Sequence, residues 1–293
     1  MTSRRARLGL IGGSGVYDLA GLGNAREERV ETPFGEPSDS YFTGELEGAP
    51  VAFLSRHGRG HRYAPTEINY RANICGFKML GCDAILSASA VGSLKEDYAP
   101  GHAVVPEQFL DRTRHRRDTF FGDGAVAHVS FADPVCPVLS LALVTSARES
   151  GLTVHRGGTY VCMEGPQFST RAESLLYRSC GADVIGMTNV TEARLAREAE
   201  ICYATLALVT DWDCWREATE AVSVEAVLAV LSQNADAARR TMRAAVSRVQ
   251  ESRSCFCREA LRYAILTDPK AIPDAARERL RPIAGRYLSR TEP

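Results

Sequence analysis

The stretch ICYATLALVTDWDCW, Ile201–Trp215, constrains the fold more than any other part of the chain. It opens as a long apolar run and ends abruptly in Thr210-Asp211-Trp212-Asp213. A continuous run of this kind reads as a strand covered on both faces, the state of a central strand in an α/β sheet. The rest of the chain must therefore supply helices for two layers. Ligands in such sheets gather at the carboxyl ends of strands, where Asp211 and Asp213 stand. If the strand continues through them, their i, i+2 spacing points both carboxylates to one side. Taken alone, they are equally well read as solvated strand-end residues.

The remaining pattern agrees with an α/β chain. Strands are expected at Arg7–Ile11, Val51–Leu54, Asp83–Ser89, Gly101–Pro106, Gly158–Met163 and Asp183–Ile185. Helices are expected from Pro65-Thr66 to about Leu80, and over Pro137–Gly151, Arg171–Cys180 and Thr191–Glu200. A long amphipathic helix follows Ser223, with Val224, Val227, Leu228 and Leu231 opening its apolar face. Alternation of this kind gives a mostly parallel or mixed sheet flanked by helices. No domain boundary interrupts it, so residues 1–293 read as one domain, with about 251–293 a helical extension for peripheral packing or subunit contact. Residues 111–118 read as a polar, basic loop.

The formal charge of −1 argues against a protein that holds nucleic acid by bulk electrostatics. No apolar run reaches the roughly 20 residues of a membrane span, and the amino terminus has too short an apolar run for a signal peptide. The expectation is a cytoplasmic protein. Of nine cysteines, Cys75, Cys82, Cys136, Cys162, Cys180, Cys202 and Cys214 read as buried thiols in a reducing compartment. No matched Cys-x-x-Cys pairs suggest zinc, and no metal is expected. Cys255-Phe256-Cys257 reads as two free thiols, with a strained bridge as the alternative.

Chemistry-bearing residues collect at strand ends. Gly12-Gly13-Ser14-Gly15 follows the first strand as a turn that can admit an anion to backbone N–H groups, but it matches neither a dinucleotide nor a triphosphate fingerprint and taken alone reads first as a plain tight turn. Ser55-Arg56-His57-Gly58-Arg59-Gly60-His61-Arg62 is a local basic cluster in a nearly neutral protein, and an arginine fork matches oxyanions bidentately. Ser87–Ser93 is small and hydroxyl-rich, and Met187-Thr188 precedes a helix. Glycine, Arg, His, Ser and Thr at neighbouring strand ends make an oxyanion pocket, with two carboxylates beside it for a group bearing ring nitrogens. No nucleophile elbow or metal cluster appears, so the residues point to chemistry between bound small molecules without a cofactor.

IGGSG, TPFGEPSD, RHGRGH, NYRANI, GSLKED, QFLDRT, ADPVCP, EGPQFSTRAES, GADVIGMT and TDWDCW occur in that order between Gly9 and about Asn234. On these blocks the chain resembles the 5′-methylthioadenosine phosphorylase family, in the trimeric class of purine nucleoside phosphorylases. The resemblance implies an α/β domain with a central mixed, partly barrel-like sheet, assembled as a trimer or a dimer of trimers. It also implies reversible phosphorolysis of 5′-methylthioadenosine, or another 5′-substituted adenosine, to adenine and a 5-substituted ribose 1-phosphate, with phosphate as co-substrate. By motif, the phosphate site falls on Ser14, Arg56, His57, Ser89, Ala90 and Thr188, and the ribose contacts on His61, Met187 and the turn at Gly92. The base site falls on Phe168, Asp211 and Asp213, with Asp211 serving N7 and Asp213 reading the 6-amino group. The 5′ pocket falls on Val224 and Val227, with His128 supplied by a neighbouring subunit. Arg56, His57 and Asp211 carry the catalysis in this reading. Ser14, Ser89, Val91, Gly186 and Thr191 depart from residues common in the family. A Cys-x-Cys near the C-terminus is a disulfide in some thermostable members, which the resemblance extends to Cys255 and Cys257. The alternatives are a 6-oxopurine nucleoside or methylthioinosine phosphorylase, which Asp213 disfavours, and a nucleoside-binding protein without turnover, which Arg56, His57 and Thr188 disfavour.

Overall fold

The computed structural model describes residues 8–13, 21–216, 223–249 and 254–288, and the apolar run that stops at Asp211 is its central strand. In chain order the strands are β1 (Leu8–Gly12), β2 (Gly23–Glu28), β3 (Tyr41–Leu46), β4 (Ala49–Ser55), β5 (Ala84–Ser93), β6 (Ala103–Val105), β7 (Gln108–Arg112), β8 (Val154–Arg156), β9 (Thr159–Met163), β10 (Val184–Gly186) and β11 (Cys202–Asp211). The helices are α1 (Tyr70–Met79), α2 (Pro137–Glu149), α3 (Arg171–Ser179), α4 (Asn189–Glu198), α5 (Val224–Val249) and α6 (Asp274–Ala284).

β11 is buried at every position except Asp211. Its alternate residues serve different cores. Ala204, Leu206 and Leu208 join a cluster with Leu139 and Leu143 of α2 and Met242 and Val246 of α5. Tyr203 joins the cluster holding Ile74 and Phe77 of α1, and Ala207 and Val209 pack with Val91, Val104 and Tyr160. A fully buried leucine of this kind contributes about 1.5–3 kcal/mol.

The strands form one mixed sheet ordered β2-β3-β4-β1-β5-β10-β9-β7, which branches at β5 because β5 also pairs with β11. β11 pairs with β6, and β7 follows β6 after a short connection. The path β5–β11–β6/β7–β9–β10–β5 therefore returns on itself, a distorted barrel within a larger sheet. Parallel pairing of β5 with β1 and β11 brings three strand carboxyl ends to one rim.

Element boundaries follow local chemistry. α1 starts at Tyr70 and not at Pro65, because the Asn69 side chain accepts the Ala72 N–H at 3.1 Å and caps the helix there. Pro137 occupies the first turn of α2, where its missing N–H costs nothing. Thr170 and Glu173 form a reciprocal capping box on α3. β7 extends into the basic stretch where a loop is expected. Its exposure alternates and among the described residues it pairs only with β9, so its polar residues hide it from a hydrophobicity pattern. The C-terminal segment, expected to be peripheral, is part of the core: Leu261, Ile272, Leu280 and Ile283 are buried in the same cluster as α1. Cys180 is exposed and Cys214 half-buried, so not all seven scattered thiols are core residues.

Candidate active site

The carboxyl ends of β4, β5, β10 and β11 open into a cleft of about 640 Å³. Arg56, His57, Ser89, Ala90 and Thr188 line it, together with Asp211 and Asp213. His61, Gly92, Phe168, Met187, Val224 and Val227 line the same cleft. Of the residues expected from sequence, Ser14 lies outside the described residues. His128 does not line this cleft; its N–H bonds to the Ala264 carbonyl at 2.8 Å.

Arg56 departs from the expected geometry. It lines the cleft but is 1 % exposed, and Nε and Nη2 of its fork grip Glu192. Nη2 also donates to Ser87 Oγ at 2.5 Å and Nη1 to the Ala88 carbonyl at 2.9 Å. Among the described residues, these bonds leave a single Nη1 hydrogen without a partner. Nη1 lies so close to Gly13 that a Cβ there would collide with it, which explains the glycine in the first turn. Glu192 also accepts from the Tyr203 hydroxyl at 2.7 Å, so the buried cation is neutralised and its anion is hydrogen-bonded.

His57 donates Nδ1–H to the Tyr63 carbonyl at 2.8 Å, which leaves Nε2 an acceptor in the neutral ring. Burial, with the Arg56 charge second, lowers its pKa to about 4. The ring stacks on His61 with centroids 4.1 Å apart. An unfolded histidine takes up a proton near pH 6.5 and the folded one does not, so His57 contributes stability above about pH 6.5 that is lost as pH falls toward 4. The full contribution is about 3 kcal/mol. Chemical denaturation between about pH 7 and 4.5 should show a shallower stability loss for His57→Gln than for the parent. Equal slopes would refute a neutral buried ring.

Thr188 is the N-cap residue of α4 and lines the cleft; its side chain makes no capping bond, while the Val190 amide in the first turn is directed at Cys162 Sγ. A helix start of this kind favours an anion. Ser89 Oγ donates to Asn189 Oδ1 at 2.9 Å. The glycine at 186 also finds its reason. A Cβ there would collide with the Tyr160 hydroxyl, which lies beside Ser89 and Thr188. Gly186→Asn should therefore cost about 1–3 kcal/mol through overpacking. Tyr160→Phe removes the nearer of the two colliding atoms and leaves Cζ at 2.5 Å, so the double variant should recover part of the loss and lose less stability than the two single losses combined. Strictly additive losses in thermal melts would show that the two positions do not share this space.

The two carboxylates converge for a reason other than strand alternation. β11 slips register between Val209 and Asp211 and then ends, and Asp213 sits in a left-handed turn with φ +51°. The Asp213 N–H bonds back to Asp211 Oδ1 at 2.8 Å, and Thr210 Oγ1 holds Oδ2 at 2.7 Å. Gly92 gives that carboxylate room, since a Cβ there would stand 2.9 Å from Oδ1. Burial raises the pKa of Asp211, opposed by the Thr210 and Asp213 donors. Burial also raises that of Asp213, with the nearby Ser174 hydroxyl opposing and the Asp211 charge adding to it. Asp213 Oδ2 is nevertheless buried without a hydrogen-bond partner among the described residues, and Ser174 Oγ is likewise unpartnered. A buried oxygen of this kind is costly unless a ligand donor meets it.

Sequence reasoning missed two supports of the cleft. Glu192 stands on α4 like any helix-surface acid, and only its burial beside Arg56 distinguishes it. Arg116 belongs by sequence to the polar, basic loop, yet its side chain is 1 % exposed. It donates to the Met187 carbonyl and, at 2.8 Å, to that of Glu164, tying two cleft walls together.

A helix start and paired strand-end carboxylates lining one cleft, at the rim of a partly closed α/β sheet, define a nucleoside phosphorylase fold. Residues 7–247 match the family described as Phosphorylase superfamily. An S-methyl-5′-thioadenosine phosphorylase of Geobacter sulfurreducens is 59 % identical over 96 % of this chain and 99 % of its own length. Its counterpart in Koribacter versatilis is 55 % identical over 97 % of each. The crystal structure of a methylthioadenosine phosphorylase from an antarctic soil metagenomic library is 49 % identical, with a TM-score of 0.91 over 96 % of this chain and 99 % of that one. Methylthioadenosine phosphorylase from Schistosoma mansoni in complex with adenine is 36 % identical, with a TM-score of 0.83 over 92 % of this chain and 99 % of that one. The chain belongs to the phosphorylase superfamily, within its S-methyl-5′-thioadenosine phosphorylases.

Proposed function

We infer that this chain catalyses phosphorolysis of 5′-methylthioadenosine, releasing adenine and 5-methylthioribose 1-phosphate. The observation that carries the base assignment is the buried, unpartnered Asp213 Oδ2, an acceptor suited to the 6-amino donor of adenine. A carbonyl in that position sets acceptor against acceptor.

The residue roles follow from charge. Breaking the N-glycosidic bond develops positive charge on the sugar and negative charge on the purine. Phosphate bound at the Thr188 helix start, between the remaining Arg56 N–H and His57, sits against the cationic face and captures it. His57 Nε2, an acceptor in the neutral ring, suits a protonated phosphate oxygen, and Ser89 turns its hydroxyl from Asn189 to donate. On the other side Asp211, its pKa already raised by burial, shares a proton with N7 as the base leaves. Val224, 63 % exposed at the cleft mouth, and the neighbouring Val227 offer an apolar seat to a methylthio group. Inorganic phosphate is the co-substrate, and the chemistry needs no cofactor. The His128 position, away from this chain's own cleft, fits a homotrimer or dimer of trimers in which it completes a neighbour's 5′ pocket. The C-terminal segment belongs to the same single domain over 1–293, since it shares the α1 core. No described helix is long and apolar enough to cross a membrane, and a cytoplasmic location suits the phosphate requirement.

Base release from 5′-methylthioadenosine, adenosine, inosine and 5′-methylthioinosine, with and without inorganic phosphate, tests this assignment. Phosphate-dependent adenine release, fastest from the methylthio substrate, is expected. Hypoxanthine release in preference would overturn the Asp213 role, and turnover without phosphate would overturn the phosphate site.

A further inference from the structure

Four cysteines distant in sequence meet at the opposite end of the central strand from Asp211. Cys202 is the first residue of β11, Cys136 is the N-cap residue of α2, and Cys255 and Cys257 lie at the 3-10 turn Phe256–Glu259. Their Sγ atoms all fall within 4.8 Å of one another, and those of Cys202 and Cys255 are 3.4 Å apart. Cys136, Cys202 and Cys257 are buried, Cys255 is half-buried, and all four are free thiols.

Core packing accounts for an isolated buried thiol, which behaves as a small apolar side chain. It does not account for four soft donors from three separate segments aimed at one point. A tetrahedral ion with Zn–S bonds of about 2.3 Å has S···S edges of about 3.8 Å, within the spacing of this cluster. We propose that Cys136, Cys202, Cys255 and Cys257 form a structural tetrathiolate site for Zn²⁺ that clamps the C-terminal segment to the base of β11 and the start of α2. Four protein donors close the coordination sphere, which is the pattern of a structural ion and not a catalytic one. Four thiolates around one dication leave an excess of negative charge that needs local compensation. The Val138 and Leu139 amides at the start of α2 face Cys136 Sγ and supply part of it. The linear spacing conceals the site, because Cys255-x-Cys257 is tighter than the usual Cys-x₂₋₄-Cys and its partner thiols come singly from two other elements.

A disulfide between Cys202 and Cys255, or within Cys255-x-Cys257, is the competing fate of the same atoms. The test uses the full-length protein purified under a phosphine reductant, with metal content measured by elemental analysis. The protein is then stripped by chelator and titrated with Co²⁺ and Zn²⁺. The proposal expects one equivalent of Zn²⁺ per chain and, with Co²⁺, the intense visible absorption and sulfur-to-metal charge transfer of a tetrahedral thiolate ion. Both should be lost in Cys255→Ser/Cys257→Ser and retained in Cys180→Ser, whose thiol is exposed elsewhere. Zinc loading should also protect four thiols of the parent protein from alkylation and raise its Tm, with kcat at low temperature unchanged. The parent readouts stand even if the double variant fails to fold. Absence of stoichiometric uptake by the fully reduced parent would overturn the proposal, whether its thiols then alkylate freely or reoxidise to disulfides. A Co²⁺ spectrum without thiolate charge transfer would overturn it equally.

Discussion

Asp213→Asn should lower the preference for adenine over hypoxanthine, measured as a ratio of kcat/KM values, on the order of 10³-fold. The buried Oδ2 has no hydrogen-bond partner among the described residues, with the Ser174 hydroxyl the nearby competitor, so a 6-amino donor completes its hydrogen bonding. An amide in its place can present N–H to a 6-carbonyl and loses the penalty that rejects inosine-type substrates. The left-handed backbone at this position, φ +51°, is one that asparagine tolerates, so the variant should keep the turn. Acid should mimic the substitution in part. Burial raises the Asp213 pKa, so protonation begins above the ordinary aspartate range and turns the acceptor into a donor as pH falls. Kinetics of methylthioadenosine and methylthioinosine from about pH 8 to 5 would check both claims. Unchanged base selectivity in the variant would remove Asp213 from base recognition.

Asp211→Asn should lower kcat by about 10²–10⁴-fold, the usual worth of general acid–base assistance. The amide preserves the local geometry: its oxygen can accept the Asp213 N–H, and its nitrogen can donate to Thr210 Oγ1. The proton shared with N7 is what it removes. The KM for phosphate should therefore stay near the parent value, because Asp211 is not among the residues assigned to phosphate. A variant with parental kcat, or one whose loss lies wholly in phosphate KM, would be inconsistent with a role at the leaving base.

Much of this site is legible in the chain because strand ends carry their own signal. The apolar run of β11, the carboxylates that stop it and the hydroxyl-rich end of β5 are each encoded within a short window, the range over which periodicity and burial can be read. Resemblance to known phosphorylases then assigned roles to Arg56, Thr188 and Asp213 that local pattern could only suggest. Boundaries that differ from the pattern have particular causes. Asn69 caps α1 so that it opens at Tyr70, well past Pro65, and the polar residues of β7 disguise an edge strand as a loop.

The class of fold, the central strand and the two aspartates at its end are properties of short segments. Apolar continuity and an abrupt polar stop hold whatever the chain later packs against. What those residues face is a matter of packing. Arg56 meets Glu192 across 136 residues, Ser89 meets Asn189 across 100, and Asp213 turns into the cleft through a left-handed bend and not along a strand. The same holds for Tyr160 filling the space against Gly186 and for four thiols converging from three segments. Such contacts depend on the register of a branched sheet and the packing of helices against it, and no window of sequence contains both partners.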